Sequence, residues 1–196
     1  TPAGAIRLSA AIAPYDPLWF EEPVPPDDIA GLAKVARASS VPVATGERLT
    51  TRSEFAAALD AGAAILQPAL GRAGGIWEAR KIAVLAEAQG AQVAPHLYAG
   101  PIEWAANLQL AVAIPNLLIA ETIETPFHTD LIKGSLVVDE GHVTAPAAPG
   151  LGIDVDEALA RAHPYDGEAL HLEMQAAPPR YDRPNLFEGG APAKPE

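Results

Sequence analysis

The sequence has 196 residues, of which 49% are hydrophobic, and it contains no cysteine. Its formal net charge is -12, from 25 acidic and 13 basic residues. This acidity argues against nucleic-acid and anionic-membrane partners, because both require a basic face. The absence of cysteine excludes disulfides and thiolate metal sites. No apolar run approaches the ~20 residues that span a bilayer, and no signal-peptide pattern opens the chain, so we expect a cytoplasmic protein.

Short apolar runs alternate with segments of helical spacing along the first two thirds of the chain. After an opening helical segment, these runs predict strands at 18–20, 41–44, 64–66, 92–94 and 117–120. The segments between them predict helices at 28–38, 51–61, 76–89 and 102–114. Thr51 and Glu54 form a possible capping box at the start of the second of these helices. The alternation implies right-handed βαβ units and a parallel sheet, either open or closed into a barrel.

The pattern changes after residue 125. The stretch SLVVDEGHVTAP predicts a hairpin that turns at Asp139 to Gly141, and ALARAHP predicts a short helix beginning near Asp156. The last residues are rich in Pro and Gly and predict an extended strap with a disordered tail. We therefore divide the chain into an α/β part at 1–134, a hairpin and short helix at 135–175, and the strap at 176–196.

The carboxyl ends of the predicted strands carry residues of catalytic type. Ligands of parallel α/β folds bind at this edge, and the residues there are Glu21 and Glu22, Glu47, Ala69, His96 and Glu121. Taken singly, a strand-end Glu is more often a helix cap or a solvated charge, and His96 a hydrogen-bonded structural residue. Their recurrence at the same point of successive repeats favours a shared site, because structural roles have no reason to keep one register.

Converging carboxylates predict a cation. Such groups repel one another unless a cation lies among them. Oxygen ligands without cysteine favour a hard ion, above all Mg²⁺. The ion would also hold a small anionic substrate on this acidic chain, and it would acidify the proton α to a bound carboxylate.

Two other features are interpreted as structural. The sequence GRAGG at 71–75 lacks the Lys-Ser/Thr ending of a P-loop, so it predicts a flexible turn into the next helix in preference to an anion-binding loop. Trp19, Trp77 and Trp104 are predicted to pack in the core or between strands and helices.

Five phrases together resemble a known family. They are WFEEPVPP, PVATGERLTTRSEF, QPALGRAGGI, APHLYAGPIEWAAN and LLIAETIE, in this order. They resemble the barrel domain of the enolase superfamily, in the mandelate racemase/muconate lactonizing enzyme group and closest to its galactonate dehydratase-like sugar-acid dehydratases. The resemblance extends over about residues 1–155. It implies the last five or so strands of a TIM-type (β/α)7β barrel, followed by a C-terminal hairpin and an extended tail.

The resemblance also implies an activity and residue roles. Members bind Mg²⁺ and abstract the proton α to a carboxylate, and the dehydratases convert aldonic or aldaric sugar acids to 2-keto-3-deoxy acids. Glu21 and Glu47 match metal ligands, and His96 matches a general acid/base. Glu121 matches the acid that hydrogen-bonds the substrate carboxylate or the enediolate. Ala69 stands where many relatives have an Asp that hydrogen-bonds the histidine of the next strand.

Several features of this family are absent from the chain, and their absence leaves other functions possible. The third metal ligand, the other acid/base group and the capping domain would all precede Thr1, so the chain resembles the back half of an enzyme that commonly assembles as a homo-oligomer. A half barrel would leave an open edge at 18–21, and we expect the isolated residues to be a feeble catalyst at best. A racemase or epimerase of the same superfamily remains an alternative to the dehydratase, and so does an inactive fragment or binding module.

Overall fold

Parallel strands and the helices that follow them make up most of the structure, a computed structural model that describes residues 1–123 and 125–164. Thr1–Glu157 form one compact unit, and the described residues after it belong to a second. The strap and tail at 176–196 lie outside the described residues. The division at 134 and at 175 stays a prediction.

The predicted alternation of strands and helices is observed. The described helices are α1 (Pro2–Ile12), α2 (Ile29–Ala38), α3 (Arg52–Asp60), α4 (Leu70–Ala73), α5 (Gly75–Ala88), α6 (Pro101–Ala111), α7 (Pro126–Leu131) and α8 (Glu157–Ala162). The described strands are β1 (Phe20–Glu21), β2 (Val43–Thr45), β3 (Ile65–Leu66), β4 (Gln92–Val93), β5 (Val138–Asp139) and β6 (His142–Val143). In this part of the chain, no helix combines the length and the apolar character needed to cross a membrane.

The first four strands form one parallel sheet in the order β1-β2-β3-β4. Successive strands pair Glu21 with Ala44, Ala44 with Ile65, and Ile65 with Gln92. Because all four strands run the same way, their carboxyl ends lie along one edge of the sheet, which we call the carboxyl edge. The fold class is therefore α/β with a parallel sheet, as predicted, although closure into a barrel stays a prediction.

The predicted fifth strand is shorter than expected. Residues 117–120 contribute a single parallel bridge, between Val93 and Leu117. Val93 donates its N–H to Asn116 and accepts from Leu118. The next donor on that side of β4 would be residue 95, which is a proline and has no N–H to give. The ladder therefore stops after one bridge, although the segment still lies beside β4.

Both faces of the sheet are covered. Val43, Leu66 and Val93 belong to the main core, which lies between the strands and helices. The alternate positions Ala44, Ile65 and Ala94 form a smaller cluster on the other face, against which Trp19 and Leu118 pack. This arrangement confirms the expectation of strands buried on both sides.

The hairpin and the short last helix are confirmed. β5 and β6 pair antiparallel across Glu140 and Gly141, whose φ values of 46° and 77° are those of a tight turn between twisted strands. Helix α8 begins at Glu157, next to the predicted start. Helix α6 ends at Ala111, before the predicted end at 114.

Two predictions about local structure were wrong. The GRAGG segment is not a simple flexible turn, because Gly71 to Ala73 belong to the one-turn helix α4, which ends at Gly74 in a left-handed conformation before α5 begins. Trp77 is not a core residue: it is 67% exposed, and Lys81 lies over its ring at 5.7 Å. Trp104 is buried, as predicted.

The turn between β2 and α3 is closely fitted to β3. Gly46 has a φ of 140°, and a Cβ placed on it would lie 2.8 Å from the backbone nitrogen of Gln67 and 2.8 Å from the ring of Phe55. Only glycine allows this approach without displacing β3. Helix α3 then begins with the predicted capping box, in which the N–H of Glu54 donates to the Thr51 hydroxyl and the Glu54 carboxylate accepts from Thr51.

Replacing Glu54 by Ala tests the capping box. Hydrogen bonds from the N–H groups of Thr50 and then Thr51 lower the pKa of Glu54 below its ordinary value of 4.5. A lowered pKa stabilises the fold above the ordinary value, and the effect is lost as the pH falls through the folded-state pKa. We expect Glu54→Ala to lower the free energy of unfolding by about 0.5 to 1 kcal/mol at neutral pH, and the loss to shrink below pH 4.5.

Urea unfolding of both proteins across this pH range measures the effect. Glu87→Ala is the matched control, because Glu87 is exposed on α5. An equal, pH-independent loss in the two variants would contradict a role for the box.

Replacing Gly46 by Ala tests the close approach of the β2 turn to β3. We expect a loss of more than about 1 kcal/mol in the free energy of unfolding, because the new methyl group meets backbone atoms and the positive φ disfavours alanine. Gly100→Ala is the control, since Gly100 has a φ of -73° and no atom within 4 Å of its Cβ position. Similar urea midpoints for the two variants would show that the turn tolerates displacement.

Candidate active site

Glu21 is the last residue of β1, and its carboxylate is held by two donors from different parts of the sheet. The indole Nε1 of Trp19 donates to Glu21 Oε2 at 2.9 Å, and the side-chain Nε2 of Gln67 donates to the same oxygen at 2.6 Å. Among the described residues, no hydrogen bond reaches Glu21 Oε1. One carboxylate oxygen is therefore fixed while the other is available to a ligand.

A small cavity connects the two outer ends of the carboxyl edge. It has a volume of about 180 Å³ and is lined by Glu21, Gln67 and Glu121, among other residues. Glu121 follows the segment beside β4, and its Oε2 accepts from the N–H of Leu97 at 2.6 Å. Residues from the first strand and from the last extended segment thus line one cavity, which requires the sheet to curve.

Glu47 and His96, which follow β2 and β4, approach each other at the carboxyl edge. His96 Nε2 lies 3.6 Å from Glu47 Oε2, and the two side chains are 11% and 30% exposed. Arg72, from α4, lies 3.5 Å from Glu47 Oε1 and also donates to the Glu47 carbonyl at 3.2 Å. Each oxygen of Glu47 therefore faces a group that is or can be positively charged, at a distance too long for a strong hydrogen bond.

Ala69 adds no polar group to the site. It is 5% exposed and precedes α4 without a side-chain cap. The observed pairing of β3 with β4 ends at Leu66 and Val93, and counting the same number of residues onward from each leads to Ala69 and His96. The position expected to orient the histidine therefore holds a methyl group, and Glu47 brings a carboxylate to His96 instead.

Glu22, the neighbour of Glu21, forms a structural ion pair. Its φ of 37° turns the chain away from β1, and Arg48 binds its Oε2 at 2.6 Å. The hydrogen bond to Glu22 raises the pKa of Arg48 above its ordinary value. This pair connects the ends of β1 and β2 and occupies Glu22 Oε2, while Glu22 Oε1 is buried with no hydrogen-bond partner among the described residues.

The donor set fits part of a hard-metal site. Glu21 ends β1 and Glu47 follows the adjacent parallel strand β2, and each has oxygen atoms that the described residues leave unbonded or hold only loosely. Within residues 1–123 and 125–164, however, no group of three or more His, Asp or Glu side chains is arranged to hold a metal ion. Glu21 and Glu47 thus offer oxygen atoms of the kind that a hard cation prefers, and their role as metal ligands stays a prediction.

The sequence did not identify three residues of this edge. The strand-end pattern does not single out Gln67 or Arg72, and for Trp19 it predicts only a packing role. Gln67 stands one residue after β3, a position typical of a site residue, but an amide lacks the charge or the titratable group that marks acids and histidines at strand ends. The contact between Arg72 and Glu47 depends on the helical form of the GRAGG segment.

Comparison with known proteins identifies the family. Residues 1–159 match the family described as enolase C-terminal domain-like. A D-galactonate dehydratase of Ralstonia nicotianae is 40% identical over 161 residues, which are 78% of this chain and 42% of that protein. The chain therefore spans less than half the length of this curated relative.

Solved structures agree with this assignment. A mandelate racemase/muconate lactonizing enzyme from Sulfitobacter sp. is 68% identical with a TM-score of 0.85, over 92% of this chain and 46% of the other. An enolase from Pantoea ananatis with bound D-gluconate and Mg is 32% identical with a TM-score of 0.79, over 85% of this chain and 41% of the other. The chain belongs to the enolase superfamily and carries a C-terminal domain of the mandelate racemase/muconate lactonizing enzyme type.

Proposed function

We propose that the complete protein is a Mg²⁺-dependent dehydratase of an aldonic or aldaric sugar acid. By the complete protein we mean residues 1–196 together with any polypeptide that its gene encodes before Thr1. The observation that carries the proposal is the grouping at the carboxyl edge, where Glu21 and Glu121 line one cavity and Glu47 lies beside His96. The similarity to a D-galactonate dehydratase supports dehydration as the reaction.

Glu21 and Glu47 are the proposed metal ligands. Mg²⁺, when bound, supplies the positive charge that holds a substrate carboxylate and acidifies its α-proton. In β1, the proposed metal-binding atom is Oε1 of Glu21, which accepts no hydrogen bond from the described residues. Glu47 offers either oxygen, because its contacts with Arg72 and His96 are both long.

Glu121 and His96 are the proposed groups that act on the substrate. Glu121 is exposed and has one oxygen fixed by the N–H of Leu97, so its other oxygen can face a substrate carboxyl group or hydroxyl. His96 is nearly buried and has a carboxylate close to its Nε2. In the forward reaction it would give a proton to the departing hydroxide or take one from the substrate.

The test is incubation of the complete protein with Mg²⁺ and either D-galactonate or D-gluconate in D₂O. We expect a 2-keto-3-deoxy acid as the product. Deuterium at C2 without a keto product would instead establish a racemase or epimerase. Absence of both turnover and Mg²⁺ binding would establish an inactive or purely binding protein.

Substitutions of Glu47 and His96 test whether the reaction takes place at the carboxyl edge. We expect Glu47→Gln and His96→Asn each to lower the rate at least about 100-fold, because each removes a group worth several kcal/mol to the transition state. Glu87→Gln, on the exposed side of α5, should leave the rate unchanged. Retention of full activity in Glu47→Gln would contradict the proposed role of this carboxylate.

Ala69→Asp tests whether His96 lacks an orienting partner. An Asp aligned with His96 would fix its tautomer and raise its basicity, so we expect the exchange of the substrate α-proton with D₂O to accelerate by roughly 10-fold. Ala69→Asn is the matched control, because it has the same shape without the charge. No acceleration with Asp would mean that His96 is oriented by another group, of which Glu47 is the nearest candidate.

A further inference from the structure

We propose that Gln67 and Trp19 are positioning residues that hold Glu21 Oε2 and thereby present Oε1 to the metal. The inference rests on the proposed function, since it concerns the same metal site. It assigns roles to an amide and an indole that neither the metal nor the substrate is expected to touch. We call the two donors and the carboxylate the Glu21 clamp.

The chemistry of the groups fixes the direction of both hydrogen bonds. An ionised carboxylate can only accept, and an indole N–H can only donate. The Gln67 amide must therefore point its nitrogen at Glu21, because the reverse orientation would place two acceptor oxygens against each other. Both donors reach the same oxygen, at 2.6 Å and 2.9 Å, so they restrain the rotation of the carboxylate about its last bond.

Both donors are anchored by the sheet. Trp19 packs against the cluster of Ala44, Ile65 and Ala94 on the sheet face. Gln67 is 4% exposed, and its backbone N–H donates to the Thr45 carbonyl at 2.9 Å. The donors are therefore held in place independently of any ligand, which is the condition for a preorganised site.

The cost of Gln67 to the fold argues against a purely structural role. Its Oε1 is buried and has no hydrogen-bond partner among the described residues, and a buried unpaired acceptor destabilises the folded state. Glu21 itself is exposed, so water could solvate its charge without help from a buried amide. An apolar side chain of similar shape would suit this position better if stability alone decided it.

The test compares Gln67→Met and Trp19→Phe with the unchanged complete protein. Gln67→Met keeps the packing volume, and Trp19→Phe keeps an aromatic ring of smaller size; each variant loses one donor. Mg²⁺ affinity is measured by calorimetry, and Mn²⁺ affinity by electron paramagnetic resonance of the free ion. We expect each variant to raise both dissociation constants by about 10-fold, as removal of a group that orients a metal ligand typically does.

Matched control variants and measurements of protein stability distinguish an effect on the position of Glu21 from an effect on folding. Gln109→Met removes an amide that donates to the Pro146 and Leu151 carbonyls, and Trp77→Phe removes an exposed indole. These distant changes should alter the dissociation constants by less than about 2-fold. The urea midpoint of metal-free Gln67→Met should be no lower than that of the unchanged protein.

The outcomes are distinguishable. If the unchanged protein binds neither ion, the proposed function fails and the clamp fails with it. If the unchanged protein binds Mg²⁺ and Gln67→Met binds it equally well, the clamp alone is overturned. Weaker binding together with a lower metal-free urea midpoint would also overturn the clamp, because it would make Gln67 a structural residue.

Discussion

The parallel sheet brings several carboxylates together at its carboxyl edge, and each of them contacts a hydrogen-bond donor or a basic side chain. Glu21 receives Trp19 and Gln67, and Glu22 receives Arg48. Farther along the same edge, Glu47 lies between Arg72 and His96, and Glu121 accepts from a backbone N–H. Strand pairing places Glu21 and the segments that follow the neighbouring strands along one edge, and the donors there offset the repulsion between their carboxylates.

The donors are not equivalent, and the differences suggest which carboxylates are free to bind ligands. Glu22 has one oxygen in a short ion pair with Arg48, and its other oxygen is buried without a hydrogen-bond partner among the described residues, so that second oxygen is closed to solvent. Glu21 and Glu121 each have one oxygen held at 2.6 Å. Glu47 is held only by long contacts, at 3.5 Å and 3.6 Å. A carboxylate that is oriented but not saturated suits metal or substrate binding, and this gradation supports the proposed division of roles.

Sequence periodicity was sufficient for the strand-helix alternation and for the carboxyl edge, because buried parallel strands and amphipathic helices have distinct patterns. The capping box at Thr51 could also be predicted from the sequence, because its two partners are only three residues apart. The sequence pattern did not predict that the segment 117–120 would pair with β4 through only one bridge. This outcome depends on the missing N–H of the proline at residue 95. The contact between Gln67 and Glu21 was not predicted either, because these residues lie far apart in the sequence and meet only through the register of three strands.

Strand β1 forms one edge of the described sheet, and Leu18 beside it is 55% exposed. Such an edge can pair with further strands. The most direct measurement is a crystal structure of the complete protein soaked with Mn²⁺, located by its anomalous scattering. The account predicts Mn²⁺ bound to Glu21 Oε1 and to an oxygen of Glu47, at about 2.2 Å. An ion bound elsewhere, or bound through Glu21 Oε2, would contradict it.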